Sequence, residues 1–347
     1  MTRLLRGLGV PTAAALLAGL LAACGGGGPE PAAQVVAIPP QLQPVYEAAR
    51  SEPPLTWYSS QDPALNDAVV AAFHTQYPDV TVESLRLATG ALATRYAQER
   101  QAGAVTAGLV TLADPNFVEE GLAAGWFETF DKSASPGLAR LPDRFFDRGV
   151  ATTGINVLGI AYNTQQVPDP PRTWQDVLAP QYRGHLLLGD PRNVPSYLAL
   201  GRILDEQVDQ GFLASVAGQQ PTLVDSMVPG TQQLAAGEAA LAVPNVLSVV
   251  APLKEKGAPI DFVVPEPTTG NEFATMISAG GASPNTAELL YDFLLTDAGQ
   301  QAFNGSTGSS PIGAIGTTAP LPAGYVDPAI RDLPAVRGEL LAQLGLG

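Results

Sequence analysis

Hydrophobic and polar positions along this chain alternate between the two-residue period of a strand and the roughly 3.6-residue period of a helix. This pattern predicts alternating strands and helices. Residues 55–58 combine β-branched and aromatic side chains after two prolines, which is typical of a strand. Asp62 and Pro63 then predict the start of a helix. Its buried stripe recurs at every fourth position: Leu65, Val69, Phe73 and Tyr77. Further strands at 80–85 and 109–112 complete a β-α-β-α-β order, which indicates an α/β domain with a parallel sheet.

A second run of strands and helices follows between residues 155 and 264. Gly154–Asn163 is predicted as a strand long enough to run between two domains. Shorter apolar strands are predicted at 186–188, 240–243 and 260–264. Ser283 is predicted to cap a helix with a continuous apolar stripe, and Asp297 to cap a further short helix. The chain therefore has the pattern of two α/β units, with its last helices beyond the second unit.

The N-terminus indicates export from the cytoplasm. Arg3 and Arg6 precede an uncharged apolar stretch over residues 8–20, which is short for a transmembrane helix and typical of a signal peptide. An uncleaved membrane anchor is the alternative. Cys24 is the one cysteine in the chain, so no intramolecular disulfide is possible. The Gly/Pro-rich residues after it predict a flexible tether.

Charge and length narrow the class of protein. The formal net charge is −15, and removal of residues 1–23 with their two arginines lowers it to −17. Such acidity argues against nucleic-acid binding, because phosphate neutralisation needs Lys and Arg. A small anionic ligand stays compatible with this charge, because a few local donors dominate inside a closed pocket. The mature length exceeds what one hydrophobic core usually supports, so we expect two domains.

Small polar groups follow the predicted strands, where open α/β sheets bind ligands. Helices that start after such loops also point backbone N–H groups into the same space, which favours anions. We expect the following ligand-binding residues: Ser60, Gln61, Thr89, Gly90, Asp114, Asp190, Ser196, Tyr197 and Asn245. The alternative for single residues, among them Ser59, Asp62 and Ser196, is that they merely cap helices.

Catalytic and metal-binding interpretations have little support in the sequence. The chain has two histidines, His74 and His185, and lacks zinc-protease, Walker A and nucleophile-elbow patterns. A hydrolase on the same scaffold would need a nucleophile beside a base, and no such pair is evident. We therefore expect a binding protein without catalytic residues, metal or cofactor.

Several short motifs follow one another along the chain: Trp57-Tyr58-Ser59-Ser60-Gln61, Ala113-Asp114-Pro115, Gly159 to Thr164, Pro171 to Leu178, Tyr182-Arg183-Gly184, Gly189-Asp190-Pro191, Ala236-Gly237-Glu238 and Tyr291 to Thr296. In this order they resemble one family, the ferric-iron, aminoethylphosphonate and sugar-phosphate type of extracellular solute-binding protein. The segment ending in Cys24 likewise resembles a bacterial lipobox, which implies a lipid on the sulfur of Cys24 and cleavage before it.

The resemblance implies a two-lobed, type II periplasmic-binding-protein-like α/β fold with a two-crossing hinge near residues 150–155 and 264–272. We expect a signal peptide at 1–23, a tether at 24–52 and a C-terminal tail at 321–347. Lobe 1 would comprise 53–152 plus 268–320, and lobe 2 would comprise 153–267.

The same resemblance implies an ABC importer as the setting of this chain. A monomer, lipid-anchored outside the cytoplasm, would close on a small anionic solute and deliver it to membrane permease subunits served by a separate ATPase. A ferric-iron protein is the first alternative. However, iron-binding members carry a tyrosine pair where this chain has Val246-Leu247-Ser248, and often a histidine where Gln61 stands. A surface lipoprotein without a transport role is the second alternative.

Overall fold

The computed structural model describes residues 37–347, so the predicted signal peptide, Cys24 and the start of the tether lie outside the described residues. Within 37–347, no helix is both long and apolar enough to span a bilayer. The helices are α1 Gln43–Ala49, α2 Pro63–Gln76, α3 Thr89–Gln101, α4 Pro115–Ala123, α5 Pro195–Gln207, α6 Phe212–Gly218, α7 Met227–Ala235, α8 Leu247–Glu255, α9 Pro284–Phe293, α10 Asp297–Asn304 and α11 Leu333–Gln343. The strands are β1 Leu55–Ser59, β2 Val82–Arg86, β3 Leu109–Leu112, β4 Phe146–Asp147, β5 Val150–Asn163, β6 Leu186–Gly189, β7 Thr222–Val224, β8 Leu241–Val246, β9 Ile260–Val263 and β10 Gly270–Ile277.

Two lobes share a single long strand, β5. The hydrogen-bonded order is β2-β1-β3-β10-β5-β8-β6-β7, with β4 and β9 also paired to β5. Residues 150–157 of β5 pair with β4 and β10, whereas residues 158–163 pair with β8 and β9. We call the sheet of β1–β4, β10 and the first half of β5, with its helices, lobe 1. The sheet of the second half of β5 with β6–β9 is lobe 2. The predicted two-lobed α/β architecture is confirmed.

Each lobe has apolar cores on both faces of its sheet, as strands covered by helices on both sides require. In lobe 1, Phe73 and Phe293 belong to one core, and Tyr58 and Tyr96 belong to the core on the opposite face. In lobe 2, Leu158 and Ala161 of the same strand likewise belong to two different cores. Tyr58 and Tyr162 lie on the predicted strands at 55–58 and 154–163, and both are less than 9% exposed.

The parallel strands bring their carboxyl ends to one edge in each lobe. In lobe 1, β1 lies between β2 and β3 and is parallel to both. In lobe 2, β6 lies between β7 and β8 and is parallel to both. Loops that begin at about residues 60, 87 and 113 therefore meet at one edge of lobe 1, and the loop after β6 meets them from lobe 2.

Two predicted helix caps differ in the structure. Thr296, not Asp297, caps α10, because its hydroxyl accepts from Gly299 N at 3.1 Å. Ser283 precedes α9, but its hydroxyl donates to Pro53 O instead. Glu52 supplies the cap there, since its carboxylate accepts from the backbone N–H groups of residues 285 and 286. A long-range contact thus replaces the local one.

The ends of the described chain are more ordered than the sequence predicts. The expected tether reaches residue 52, yet residues 43–49 form α1, whose Tyr46 and Ala49 are buried in the lobe 1 core. The expected tail from residue 321 contains α11, which packs on α5 and α6. Apolar residues in both segments explain this additional order, because they pack into apolar cores formed by residues distant in sequence.

Candidate functional site

A cavity of about 670 Å³ lies between the lobes, at the carboxyl ends of the parallel strands. Five of the nine predicted ligand residues line it: Ser60, Thr89, Gly90, Asp114 and Tyr197. Lobe 2 adds Arg192 and Asn193 from the loop after β6, and β10 adds Asn271. Leu333, Pro334 and Arg337 enter the lining from α11.

Ser60 presents a hydrogen-bonding group that the protein leaves unused. Its backbone N–H donates to Thr111 O at 2.9 Å, which fixes the residue at the end of β1. Its Oγ is buried and has no hydrogen-bond partner. A buried unpaired hydroxyl costs roughly 1–3 kcal/mol. A solute that bonded to this oxygen would remove that cost.

Helix α3 directs unsatisfied N–H groups at the same cavity. Its N-cap, Ala88, has no side chain able to accept a hydrogen bond from the first turn. Thr89 and Gly90 form that first turn and line the cavity. A Cβ built on Gly90 meets no atom within 4 Å, so the space beside this backbone is open. Such an uncapped N-terminus favours a bound anion.

Asp114 uses its carboxylate within lobe 1. The Oδ1 atom accepts from Asn116 N at 3.1 Å and from Phe117 N at 3.2 Å, which caps α4. The residue still lines the cavity. Its negative charge is therefore partly balanced by the amides of α4.

Asp190 lies behind the cavity wall and holds Arg192 in front of it. The carboxylate is 2% exposed and accepts from Arg192 Nη2 at 2.6 Å and Nε at 3.0 Å. Hydrogen bonding to this guanidinium lowers the pKa of Asp190. Arg192 is 46% exposed and lines the cavity, whereas Asp190 does not. The acidic residue predicted to touch ligand thus supports a basic residue that the sequence analysis missed.

Arg337 is the second basic residue that the sequence analysis missed. Its Nη2 donates to the backbone carbonyl of Arg192 at 3.4 Å, and both residues line the cavity. Nothing local in the sequence signals this role, because α11 is brought to the cleft only by tertiary packing. With Asp114 as the one carboxylate in the lining, the cavity is basic although the whole chain has a net charge of −15.

Three predicted residues face away from this cavity. The Nε2 of Gln61 donates to Phe303 O at 3.2 Å inside lobe 1. Asn245 is fully buried, and its Nδ2 donates to Thr231 Oγ1 at 2.9 Å. Ser196 donates to Asn271 Oδ1 and lines an adjacent cavity of about 480 Å³. In this structure these side chains hold backbone and side-chain neighbours in place.

Tyr197 is the one tyrosine among the residues that line the larger cavity. Burial raises the pKa of its hydroxyl to about 12, so a phenolate is costly there. Within residues 37–347, no group of three or more His, Cys, Asp or Glu side chains is arranged to hold a metal ion. Neutral donors and guanidinium groups dominate the cavity, and these groups suit oxygen anions.

Solved structures share this fold across most of the chain. Iron-bound HitA from Pseudomonas aeruginosa is 16% identical, with a TM-score of 0.66 over 84% of this chain and 99% of that chain. AfuA from Actinobacillus pleuropneumoniae, with exogenous fructose-6-phosphate bound, is 19% identical, with a TM-score of 0.63 over 84% of this chain and 99% of that chain. Trichodesmium IdiA (FutA), in complex with iron and citrate, is 14% identical, with a TM-score of 0.68 over 85% and 100%. At these identities the likeness establishes the fold alone.

Sequence comparison gives the family. An uncharacterized protein of Haemophilus influenzae is 27% identical over 162 residues, which are 44% of this chain. The match spans about half of that protein, 46% of its length. The family described as bacterial extracellular solute-binding protein matches residues 104–327, which include lobe 2 and much of lobe 1. The chain belongs to the bacterial extracellular solute-binding proteins.

Proposed function

We propose that this protein is the substrate-binding component of an ABC importer and captures a small anionic solute in the interlobe cavity. Phosphonates and phosphate esters are the solute class that the lining favours. The family membership supports a solute-binding role, and the relatives named above include one with a sugar phosphate bound. In this role the chain binds and releases its solute without chemical change.

The observation that supports the proposal most strongly is that Arg192 of lobe 2 and hydrogen-bond donors of lobe 1 line the same cavity. Asp190 fixes the Arg192 guanidinium at the cavity wall on lobe 2. Ser60 and the uncapped N-terminus of α3 line the same cavity from lobe 1. An anion between them bonds to both lobes at once, so its binding favours the closed arrangement. The hinge for that motion consists of β5 and the segment between β9 and β10.

An iron-binding role has less support in this cavity. The relatives from Pseudomonas aeruginosa and Trichodesmium were solved with iron. Here Tyr197 is a single lining phenol with a pKa of about 12, and two guanidinium groups lie in the same cavity. Positive charge repels a trivalent cation, so an anion fits these side chains better.

We also propose that the protein is a monomer, anchored outside the cytoplasm by a lipid on Cys24 and docking on a permease with a separate ATPase. The support for the anchor is the N-terminal sequence alone. Substitution of Cys24→Ser in the precursor tests it. We expect the variant to leave the membrane fraction; an unchanged membrane-bound fraction and N-terminal mass would contradict the anchor.

A thermal-shift screen with matched ligands tests the proposed solute class. Each anion is compared with its uncharged or cationic counterpart: fructose 6-phosphate with fructose, and 2-aminoethylphosphonate with ethanolamine. A ligand that binds only the native state raises the apparent stability by RT ln(1 + [L]/Kd). We expect a raised Tm with phosphate or phosphonate members only. Equal shifts with the counterparts, or shifts with none of the anions, would contradict the proposal.

A further inference from the structure

The C-terminal segment, residues 325–343, forms a third connection between the lobes. It starts at the hinge, where Val326 N donates to Thr268 O at 2.7 Å. It then passes along the cleft and ends as α11 on lobe 2, against α5 and α6. We refer to residues 325–343 as the C-terminal strap.

The strap is attached to the two lobes by contacts of different kinds. On lobe 2, α11 buries Leu333, Leu340 and Leu341 against Leu198 of α5 and Leu213 of α6. At the hinge end of the strap, Tyr325 is buried in the lobe 1 core and donates to Glu272 of β10 at 2.6 Å. Beyond Tyr325, Arg331 forms ion pairs with Glu119 of α4 at 2.7 Å and Asp147 of β4 at 3.0 Å. Arg331 is 60% exposed, and exposed ion pairs stabilise little, whereas leucine burial stabilises substantially. When the lobes separate, α11 therefore stays with lobe 2.

Because α11 stays with lobe 2, Arg337 and Arg192 remain adjacent in an open cleft. The charge of Arg192 is balanced by Asp190 at 2.6 Å. Arg337 forms no ion pair with a carboxylate within residues 37–347, although its positive charge also lowers the pKa of Asp190. A singly charged ligand needs the donors of only one guanidinium. A tetrahedral dianion has three peripheral oxygens and a second charge, and it can accept from both guanidinium groups.

We infer that Arg337 of the C-terminal strap joins Arg192 as a two-guanidinium site selective for doubly charged phosphate or phosphonate groups. This inference rests on the proposed anion-binding function and names the charge state bound by that same cavity. Arg337 lies beyond residue 327, where the family match ends, so family membership does not assign it this role. Lobe 2 captures the dianion first, and Ser60 with the N-terminus of α3 then closes over it from lobe 1.

Calorimetric titration of the mature protein tests this inference, with inorganic phosphate, 2-aminoethylphosphonate and fructose 6-phosphate as probes. The variants are Arg337→Gln, Arg337→Lys and Arg192→Gln. Arg183→Gln is the matched control, because Arg183 is exposed on lobe 2 and lines neither cavity. We expect Arg337→Gln to weaken binding about 10- to 150-fold, the loss of a hydrogen bond to a charged group. Arg337→Lys keeps the charge and should retain most of the affinity, and Arg183→Gln should match the unaltered protein.

The pH profile separates a ligand contact from a purely structural role. Phosphate monoesters gain their second charge near pH 6, so the affinity of the unaltered protein for fructose 6-phosphate should rise between about pH 5 and 7. Arg337→Gln should lose that rise. If Arg337→Gln binds like the unaltered protein while Arg192→Gln does not, the anion site stands and this inference is overturned. Equal losses in Arg337→Gln and Arg183→Gln would also overturn it, and binding of no probe by the unaltered protein would contradict the proposed function itself.

Discussion

Arg192 and Asp190 form a bidentate ion pair in which the carboxylate is buried and the guanidinium is exposed to the cleft. The side chain of Asp190 is 2% exposed, whereas that of Arg192 is 46% exposed. Two side-chain bonds, from Nε at 3.0 Å and Nη2 at 2.6 Å, fix the plane of the guanidinium. The remaining N–H groups of Arg192 are thereby presented to the cavity in a defined direction.

Substitution of Asp190→Asn should weaken anion binding even though Asp190 does not line the cavity. The amide cannot hold the guanidinium through two charged bonds, so Arg192 loses its fixed orientation. We expect an affinity loss of about 10-fold, measured by calorimetry with the tightest anion of the screen. Asp209→Asn, an exposed position on lobe 2, is the control. Unchanged affinity in Asp190→Asn would show that the pair does not orient Arg192 for ligand.

Substitution of Ser60→Ala should separate binding from stability. The Oγ has no partner in the free protein, so its removal should leave the free energy of unfolding unchanged or slightly increased. With ligand present, the lost donor should reduce affinity by about 5- to 150-fold, the equivalent of 1–3 kcal/mol. Urea unfolding and calorimetry measure the two quantities, and Ser51→Ala at an exposed position is the control. A variant that is destabilised and binds normally would contradict the assignment.

Glu272 should make stability depend on pH. The pKa of this carboxyl is raised from 4.5 to about 7, chiefly by burial and also by the charge of Asp327, although Tyr325 donates to it at 2.6 Å. The native state therefore binds more protons than the unfolded state between about pH 4.5 and 7, and stability falls as pH rises through that window. Gln cannot titrate, so Glu272→Gln should be equal to the unaltered protein near pH 4.5. It should be about 1–3 kcal/mol more stable at pH 8.

Urea unfolding at several pH values measures this difference, and Glu83→Gln, at an exposed position on β2, is the control. Glu272 lines the smaller cavity and adjoins Asn271, which lines both cavities. A stability difference between Glu272→Gln and the unaltered protein that is independent of pH would show that folding does not raise the pKa of Glu272.

Ferric iron should not bind through a phenolate. The pKa of Tyr197 is raised to about 12 by burial, and two arginines share its cavity. We expect no visible charge-transfer band when Fe³⁺ and citrate are added. The matched variant is Tyr197→Phe, which removes only the phenolic oxygen from the lining. A band that appears in the unaltered protein and disappears in Tyr197→Phe would restore the iron alternative.

Local patterns in the sequence predict the strands and helices whose ends are marked by capping residues or whose apolar positions recur regularly. Asp62 accepts from Ala64 N at 2.9 Å as the predicted cap of α2, and Thr173 forms a capping box with Asp176. β5 begins at Val150, four residues before the prediction, because pairing with β4 and β10 extends it. β10 was missed, since Gly270 and Glu272 interrupt its apolar pattern and its place beside β5 depends on a distant partner.

The residues of the candidate site likewise fall into those that local patterns predict and those that only tertiary packing places. Ser60 and Thr89 follow parallel strands, so their meeting at one sheet edge follows from topology, and both line the cavity. Asp190 is also at a strand end, yet its side chain turns inward to Arg192. Arg337 lies more than 140 residues from Arg192 in sequence, and only the apolar packing of α11 on α5 and α6 brings them together. No short motif encodes such a contact.

A crystal structure with the tightest anion of the screen would show whether one solute binds to both lobes. We expect electron density for the phosphate or phosphonate group in the larger cavity, within hydrogen-bond distance of the Arg192 guanidinium and Ser60 Oγ. Density in the smaller cavity, or a ligand in the larger cavity whose charged group contacts neither residue, would contradict binding of the anion between the lobes.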